Sequence, residues 1–177
     1  MRPRNFRRAL CGLLFCIPIT AANAQTIWYV NDDAHGTNSG TSWTDAYTDL
    51  HSALAAAQSG DQIWVAAGRY VGNNTLALGV EVYGGFAGTE TELTQRDWET
   101  NLTILDGNQT GSVVTSPAGA TATTRIDGFM IANGSGTWLD WGEYDEYGGG
   151  LFVHSASPTI ANNTITNNNA SHGDGLS

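Results

Sequence analysis

The chain has 177 residues, of which 41% are hydrophobic and 14% charged, with seven basic against 17 acidic side chains and a formal charge of −10. Four of the seven arginines, Arg2, Arg4, Arg7 and Arg8, fall in the first eight positions and there is no lysine, so the rest of the chain is strongly acidic and a poor fit to nucleic acid. Both cysteines, Cys11 and Cys16, also lie near the start, which excludes disulfides and thiol chemistry from everything that follows.

Residues 1–24 read as an export signal. The arginines precede an apolar run from Ala9 to Ile19, and Ala22-Asn23-Ala24 supplies the small-x-small pattern of a peptidase site. The run is about 11 residues long, too short to cross a bilayer, so the mature chain is expected to have no transmembrane span. Two variant signals fit less well. Arg7-Arg8 lacks most of the twin-arginine pattern, and Phe15 is too bulky to precede a lipid-attachment Cys16. Cleavage after Ala24 leaves 153 residues with three basic and 17 acidic side chains, a net charge of −14.

The mature composition, rich in Gly, Asn, Thr, Ala and Ser with brief β-branched runs, predicts many short strands joined by turns. Ile27 to Val30 reads as a first strand and His35 to Ser42 as a loop. One helix is predicted over about 44–58, with Thr44 as N-cap, Asp45 in the first turn, Tyr47, Leu50, Leu54 and Ala57 on one face, and Gly60 as the stop. Ile63 to Ala66 and Arg69 to Val71 resume strand character. Leu76, Leu78, Val80 and Val82 then alternate with Ala77, Gly79, Glu81 and Tyr83, which predicts one shared core-facing side.

From there the chain repeats. Ile104-Leu105-Asp106-Gly107 is echoed 21 residues later by Arg125-Ile126-Asp127-Gly128, Ile126 and Ile131 by Ile160 and Ile165 after 34, and Gly150-Leu151 by Gly175-Leu176 after 25. The longer step points to an insertion at about 137–147. Helix-free repeats of 20 to 25 residues predict an all-β solenoid in which each coil buries its inner side chains against the next. Asn162, Asn163, Asn167, Asn168 and Asn169 fit turn corners, where stacked amides form a ladder. The alternative is glycan attachment at sequons such as Asn101-Leu102-Thr103 and Asn108-Gln109-Thr110.

Trp28-Tyr29-Val30-Asn31, Gly40-Thr41-Ser42-Trp43, the helix, and Gly60-Asp61-Gln62-Ile63-Trp64-Val65-Ala66-Ala67-Gly68-Arg69-Tyr70 together resemble the N-terminal region of secreted right-handed parallel β-helix proteins of the pectate-lyase-like superfamily. Tyr83-Gly84-Gly85-Phe86-Ala87-Gly88-Thr89-Glu90 with Arg96-Asp97-Trp98 is similar to a signature of one bacterial branch of that group. Gly149-Gly150-Leu151-Phe152 and Ile165-Thr166-Asn167-Asn168 resemble the repeats of chlamydial polymorphic outer-membrane proteins, departing at Leu-Phe and at Ile165. The resemblance implies a right-handed parallel β-helix with one N-terminal capping helix and a secreted or outer-surface location. It implies no reaction, because this scaffold hosts lyases, hydrolases, adhesins and passive fibres. The expected organisation is a signal over 1–24, a cap with the first strands over 25–72, and coils over 73–177. His172 to Ser177 repeats the opening of the preceding coil and no polar cap follows, so the chain reads as the N-terminal part of a longer protein.

The inserted segment carries the candidate site. Trp138, Trp141, Tyr144 and Tyr147 recur at every third residue with Asp140, Glu143, Asp145 and Glu146 between them. Such rings stack on sugar faces, and the carboxylates suit sugar hydroxyls or calcium. The competing reading is a local lid whose acids stay solvated. Glycoside hydrolysis needs two acids at fixed separation, which spacing on a loop does not establish. A polysaccharide lyase needs cations against a uronate, and the mature chain offers Arg69, Arg96 and Arg125 alone. Arg96 has the most distinctive setting, which an ion pair with Asp97 or another acid explains equally well. His35, His51, His154 and His172 show no metal-ligand spacing, and Asp32-Asp33 fits an Asx turn better than a calcium site. The sequence thus describes an exported surface or extracellular module, structural or glycan-binding, with extracellular polysaccharide or cell-surface components as partners. The alternative is a polysaccharide lyase or glycoside hydrolase.

Overall fold

The computed structural model describes residues 24–140 and 144–177; the predicted signal up to residue 23, and Trp141 and Glu143 of the candidate site, lie outside the described residues. The β-branched runs form strands of two to six residues, and Gly, Asn and Asp break them. They are β1 (Ile27–Val30), β2 (Gln62–Ala66), β3 (Gly68–Val71), β4 (Asn74–Thr75), β5 (Glu81–Phe86), β6 (Thr103–Asp106), β7 (Val114–Ser116), β8 (Arg125–Asp127), β9 (Met130–Ala132), β10 (Thr137–Asp140), β11 (Tyr144–Tyr147), β12 (Leu151–Val153), β13 (Thr159–Ala161) and β14 (Thr164–Thr166). The helix α1 spans Leu50–Ala56.

Three sheets are parallel throughout. Their orders are β1-β2-β5-β8-β13, β3-β6-β9-β14 and β4-β7-β12, so the chain visits first, second and third sheet in turn and then begins again. Each circuit lays one apolar residue over its counterpart in the last. In the first sheet the register runs Ile63, Val82, Ile126, Ile160. In the second it runs Tyr70, Leu105, Ile131, Ile165, and in the third Val114, Leu151 and, through a bridge, Leu176. These ladders form the main core, with Ile63, Val82, Leu105, Ile126 and Ile131 fully buried. Parallel neighbours lie about 4.8 Å apart, so like side chains pack directly on one another.

The other face of the first sheet carries a second cluster. Tyr29, Trp64 and Tyr83 stand in register, and Phe86 stacks on Trp64 at 4.7 Å. Phe86 shares their face because of a bulge. Trp64 pairs with Tyr83 but Ala66 pairs with Phe86, so Gly84-Gly85 stands opposite Val65 alone. Gly85 has φ +92°, and a Cβ there would meet the Trp98 backbone at 2.7 Å, which explains the glycine.

Several predictions require correction. The helix begins at Leu50 with Asp49 as its cap, accepting from the Ser52 N–H at 2.8 Å, not at Thr44. Asp45 is held in the preceding loop by the Thr37 N–H and hydroxyl, and Tyr47 bridges to Val30. The helix ends at Ala56 with Ala57 as its C-cap, short of the predicted stop at Gly60. The strict alternation from Leu76 to Val82 is not one strand either. A turn over residues 77–80, closed by the Val80 N–H on the Ala77 carbonyl, leaves Leu78 52% exposed while Leu76, Val80 and Val82 are buried. The echo of Leu105 in Ile126 is not a stacking step, because Leu105 pairs with Ile131 in the second sheet and Ile126 with Val82 in the first.

That echo has an electrostatic origin. Asp106 and Asp127 each close a strand, and each accepts from arginine and from an asparagine one circuit later. Asp106 takes Arg69 at 2.6 Å and Asn133 at 2.7 Å; Asp127 takes Arg96 and Arg125 at 2.7 Å and Asn162 at 3.0 Å. Asn133 and Asn162 adopt φ of 59° and 51°, the left-handed region that Asn tolerates. The other asparagines bridge circuits through backbone rather than through stacked amides. Asn163 donates to the Ile126 carbonyl and accepts from the Phe129 N–H; Asn168 does the same with Ile131 and Gly134.

Candidate functional site

The segment predicted as an inserted loop is a two-stranded antiparallel hairpin between β9 and β12, outside the three sheets. Thr137 faces Tyr147, Trp138 faces Glu146, Leu139 faces Asp145 and Asp140 faces Tyr144 along its register. Its base is tied to the main body at Ser112, whose hydroxyl lies 2.7 Å from that of Thr137 and donates to the Tyr147 carbonyl. Trp138 is 60% exposed.

One residue that showed no ligand spacing in sequence joins this hairpin. The His172 ring stacks on Tyr147 at 4.9 Å and its Nε2 lies 3.1 Å from Asp145 Oδ2, while the His172 backbone N–H donates to the Glu146 carbonyl. Tyr147 and His172 are 25 residues apart, the same step that relates Leu151 to Leu176. The repeat therefore contained the signal. Of the predicted residues, the structure brings Trp138, Tyr147, Asp145 and Glu146 onto one hairpin, and Asp140 and Tyr144 onto its strands by register. Among the described residues no group of three or more His, Cys, Asp or Glu converges to hold a metal ion.

The remaining carboxylates of interest are structural. Burial alone would raise the Asp127 carboxyl, but hydrogen bonds from Asn162, Arg96 and Arg125 outweigh it and hold the group below its ordinary value. Asp106 is lowered against burial by the Asn108 N–H, Arg69 and Asn133, and Asp61 likewise by the Gln58 and Thr26 N–H groups and Trp28. None of these three is poised as a proton donor near neutrality. Arg96 is equally engaged. Its side chain is 8% exposed, it lies over Tyr83 at 5.0 Å and Trp98 at 4.7 Å, and it pairs with Asp127 rather than Asp97. Asp97 instead accepts from the Glu99 and Thr100 N–H groups. His51 Nε2 donates to the Asn73 carbonyl, and the Asp32 carboxylate accepts from the Arg69 N–H.

The Gly-Gly-Phe-Ala-Gly-Thr-Glu run is a loop clamp. Its Glu90 carboxylate accepts from the N–H groups of Ala87, Gly88 and Thr89 at 2.6, 3.0 and 2.9 Å, and the Glu90 carbonyl accepts from the Trp43 indole. Glu90 is 9% exposed. Glu90→Ala is expected to lose about 1–3 kcal/mol, because three amides lose their acceptor. Thermal unfolding of the mature protein checks this, with Glu90→Gln intermediate. Beside this loop, Trp98, Leu102, Met130, Asn163 and Thr164 line an open groove of about 370 Å³ that crosses successive circuits.

Comparison with curated proteins and with solved structures gives no match. Residues 31–176 match a family model described as "Protein of unknown function (DUF1565)", a span that takes in β2 to β14, the Glu90 clamp, the Asp106 and Asp127 clusters and the hairpin. The chain belongs to the DUF1565 family.

Proposed function

We propose that the protein is an exported right-handed parallel β-helix module of the secreted or outer-surface kind, and that its hairpin over residues 137–147 is a contact surface for extracellular glycan. Membership of a family of parallel β-helix-like domains and the cyclic visiting of three parallel sheets support the first part. The pectate-lyase-like resemblance enters as a scaffold, not as a reaction. The observation that carries the second part is the exposed Trp138 on a hairpin that no sheet requires, braced from below by Ser112 and His172. An indole held on a rigid base stacks on a sugar ring with little ordering cost.

The test is retention of the exported protein on a panel of immobilised uronate and neutral polysaccharides, with soluble products followed in parallel. Trp138→Ala is expected to weaken retention about tenfold, the size of one lost aromatic contact, with no products formed. Unsaturated or new reducing ends that persist in the purified protein would replace this reading by the lyase or hydrolase one. Arg96→Ala does not serve as a catalytic probe, because it removes a buried ion-pair partner.

A further inference from the structure

Among the described residues, the first one tied to the fold stands just beyond the predicted peptidase site. Thr26 is held on both sides, its N–H donating to Asp61 Oδ1 and its carbonyl accepting from the Gln62 N–H, each at 2.9 Å. Between Thr26 and Ala22-Asn23-Ala24 stands Gln25 alone. Gln25 is exposed, beside an open groove of about 300 Å³ lined also by Thr26, Trp28, Gln58 and Asp61. The Asp61 carboxylate in that groove already accepts from the Thr26 and Gln58 N–H groups and from the Trp28 indole.

We infer that export exposes Gln25 as a new amino terminus and that it closes to pyroglutamate, a modification site that rests on the export reading. The free α-amine attacks Cδ of the Gln25 carboxamide. The new N–Cδ bond forms the lactam, the Cδ–Nε2 bond breaks, and the proton lost by the α-nitrogen leaves with the side-chain nitrogen as ammonia. No oxidant, reductant or co-reactant is needed, only a terminal glutamine with room to fold back on itself. The lactam removes a positive charge and the amine that aminopeptidases grip. That matters because β1 is the edge strand of the first sheet, and trimming into Thr26 would remove its bond to Asp61.

The experiment is mass spectrometry of the amino-terminal peptide of the full exported protein, before and after aminopeptidase treatment. The expected peptide begins at residue 25, is lighter by one ammonia and is not trimmed. Gln25→Asn, whose side chain is one methylene too short for this ring, should begin at residue 25 with a free amine and be trimmed. An uncyclised Gln25 in the wild type overturns the cyclisation and leaves export standing. A peptide that begins elsewhere overturns the cleavage position and the cyclisation with it.

Discussion

Asp127→Ala is expected to destabilise the mature protein by about 3–5 kcal/mol, the range for a buried ion pair stripped of one partner. Arg96 would then keep its charge between Tyr83 and Trp98 with only the carbonyls of Gly84 and residue 127 as acceptors. Arg125, about a quarter exposed, would lose less because water can replace its partner. In urea, the loss corresponds to a midpoint lowered by about 2 M. Arg96→Met in the same background should recover part of the loss by removing the stranded charge. A loss under about 1 kcal/mol, typical of exposed pairs, would show that this cluster is solvated in solution.

The same groups set the acid limit. Asp61, Asp106 and Asp127 all have folded carboxyls held below the ordinary 3.8. A depressed carboxyl adds stability that is complete above its unfolded value and is lost as pH falls through the folded one. Stability should therefore be flat on this account from pH 7 to about 5 and fall below about 4. Urea midpoints across that range check the sign, and Asp127→Ala should flatten the acid limb.

Ile131→Ala is expected to cost about 2–5 kcal/mol, since Ile131 is fully buried with Leu105 on one side of its ladder and Ile165 on the other. Ile165→Ala, at a partly buried rung with a described neighbour on one side only, should cost about half as much or less. The contrast tests the stacking itself. Equal losses at the two positions would mean that the rungs do not share their burial along the ladder. Denaturant midpoints of the two variants, compared at equal slope, give the answer.

The steps of 34 and 25 residues were legible because stacking places chemically like residues on top of one another, so Ile126 and Ile160, or Leu151 and Leu176, keep their type. The step of 21 misled for the opposite reason. Leu105-Asp106-Gly107 and Ile126-Asp127-Gly128 share chemistry because each aspartate closes a strand against arginine and asparagine, although the two strands lie in different sheets. The helix start was misplaced because Thr44 and Asp49 are both acceptable caps by local rules. Contacts outside the helix decide the matter, since Tyr47 is drawn to Val30, 17 positions earlier, and Asp45 to Thr37.

The amino-acid sequence by itself determined that the chain is acidic, lysine-free and built of short strands, and which segment interrupts the repeat. Those properties follow from composition and local periodicity, which act over a few residues. Only the tertiary structure decided that the interruption is a braced hairpin, that His172 reaches Asp145 and Tyr147, and that Arg96 is locked on Asp127 instead of standing free for chemistry. The brace at Ser112, the His172 contacts and the Arg96–Asp127 pair each join groups 25 or more residues apart, through contacts whose partners are chosen by how the circuits align and not by the residues beside them in the chain.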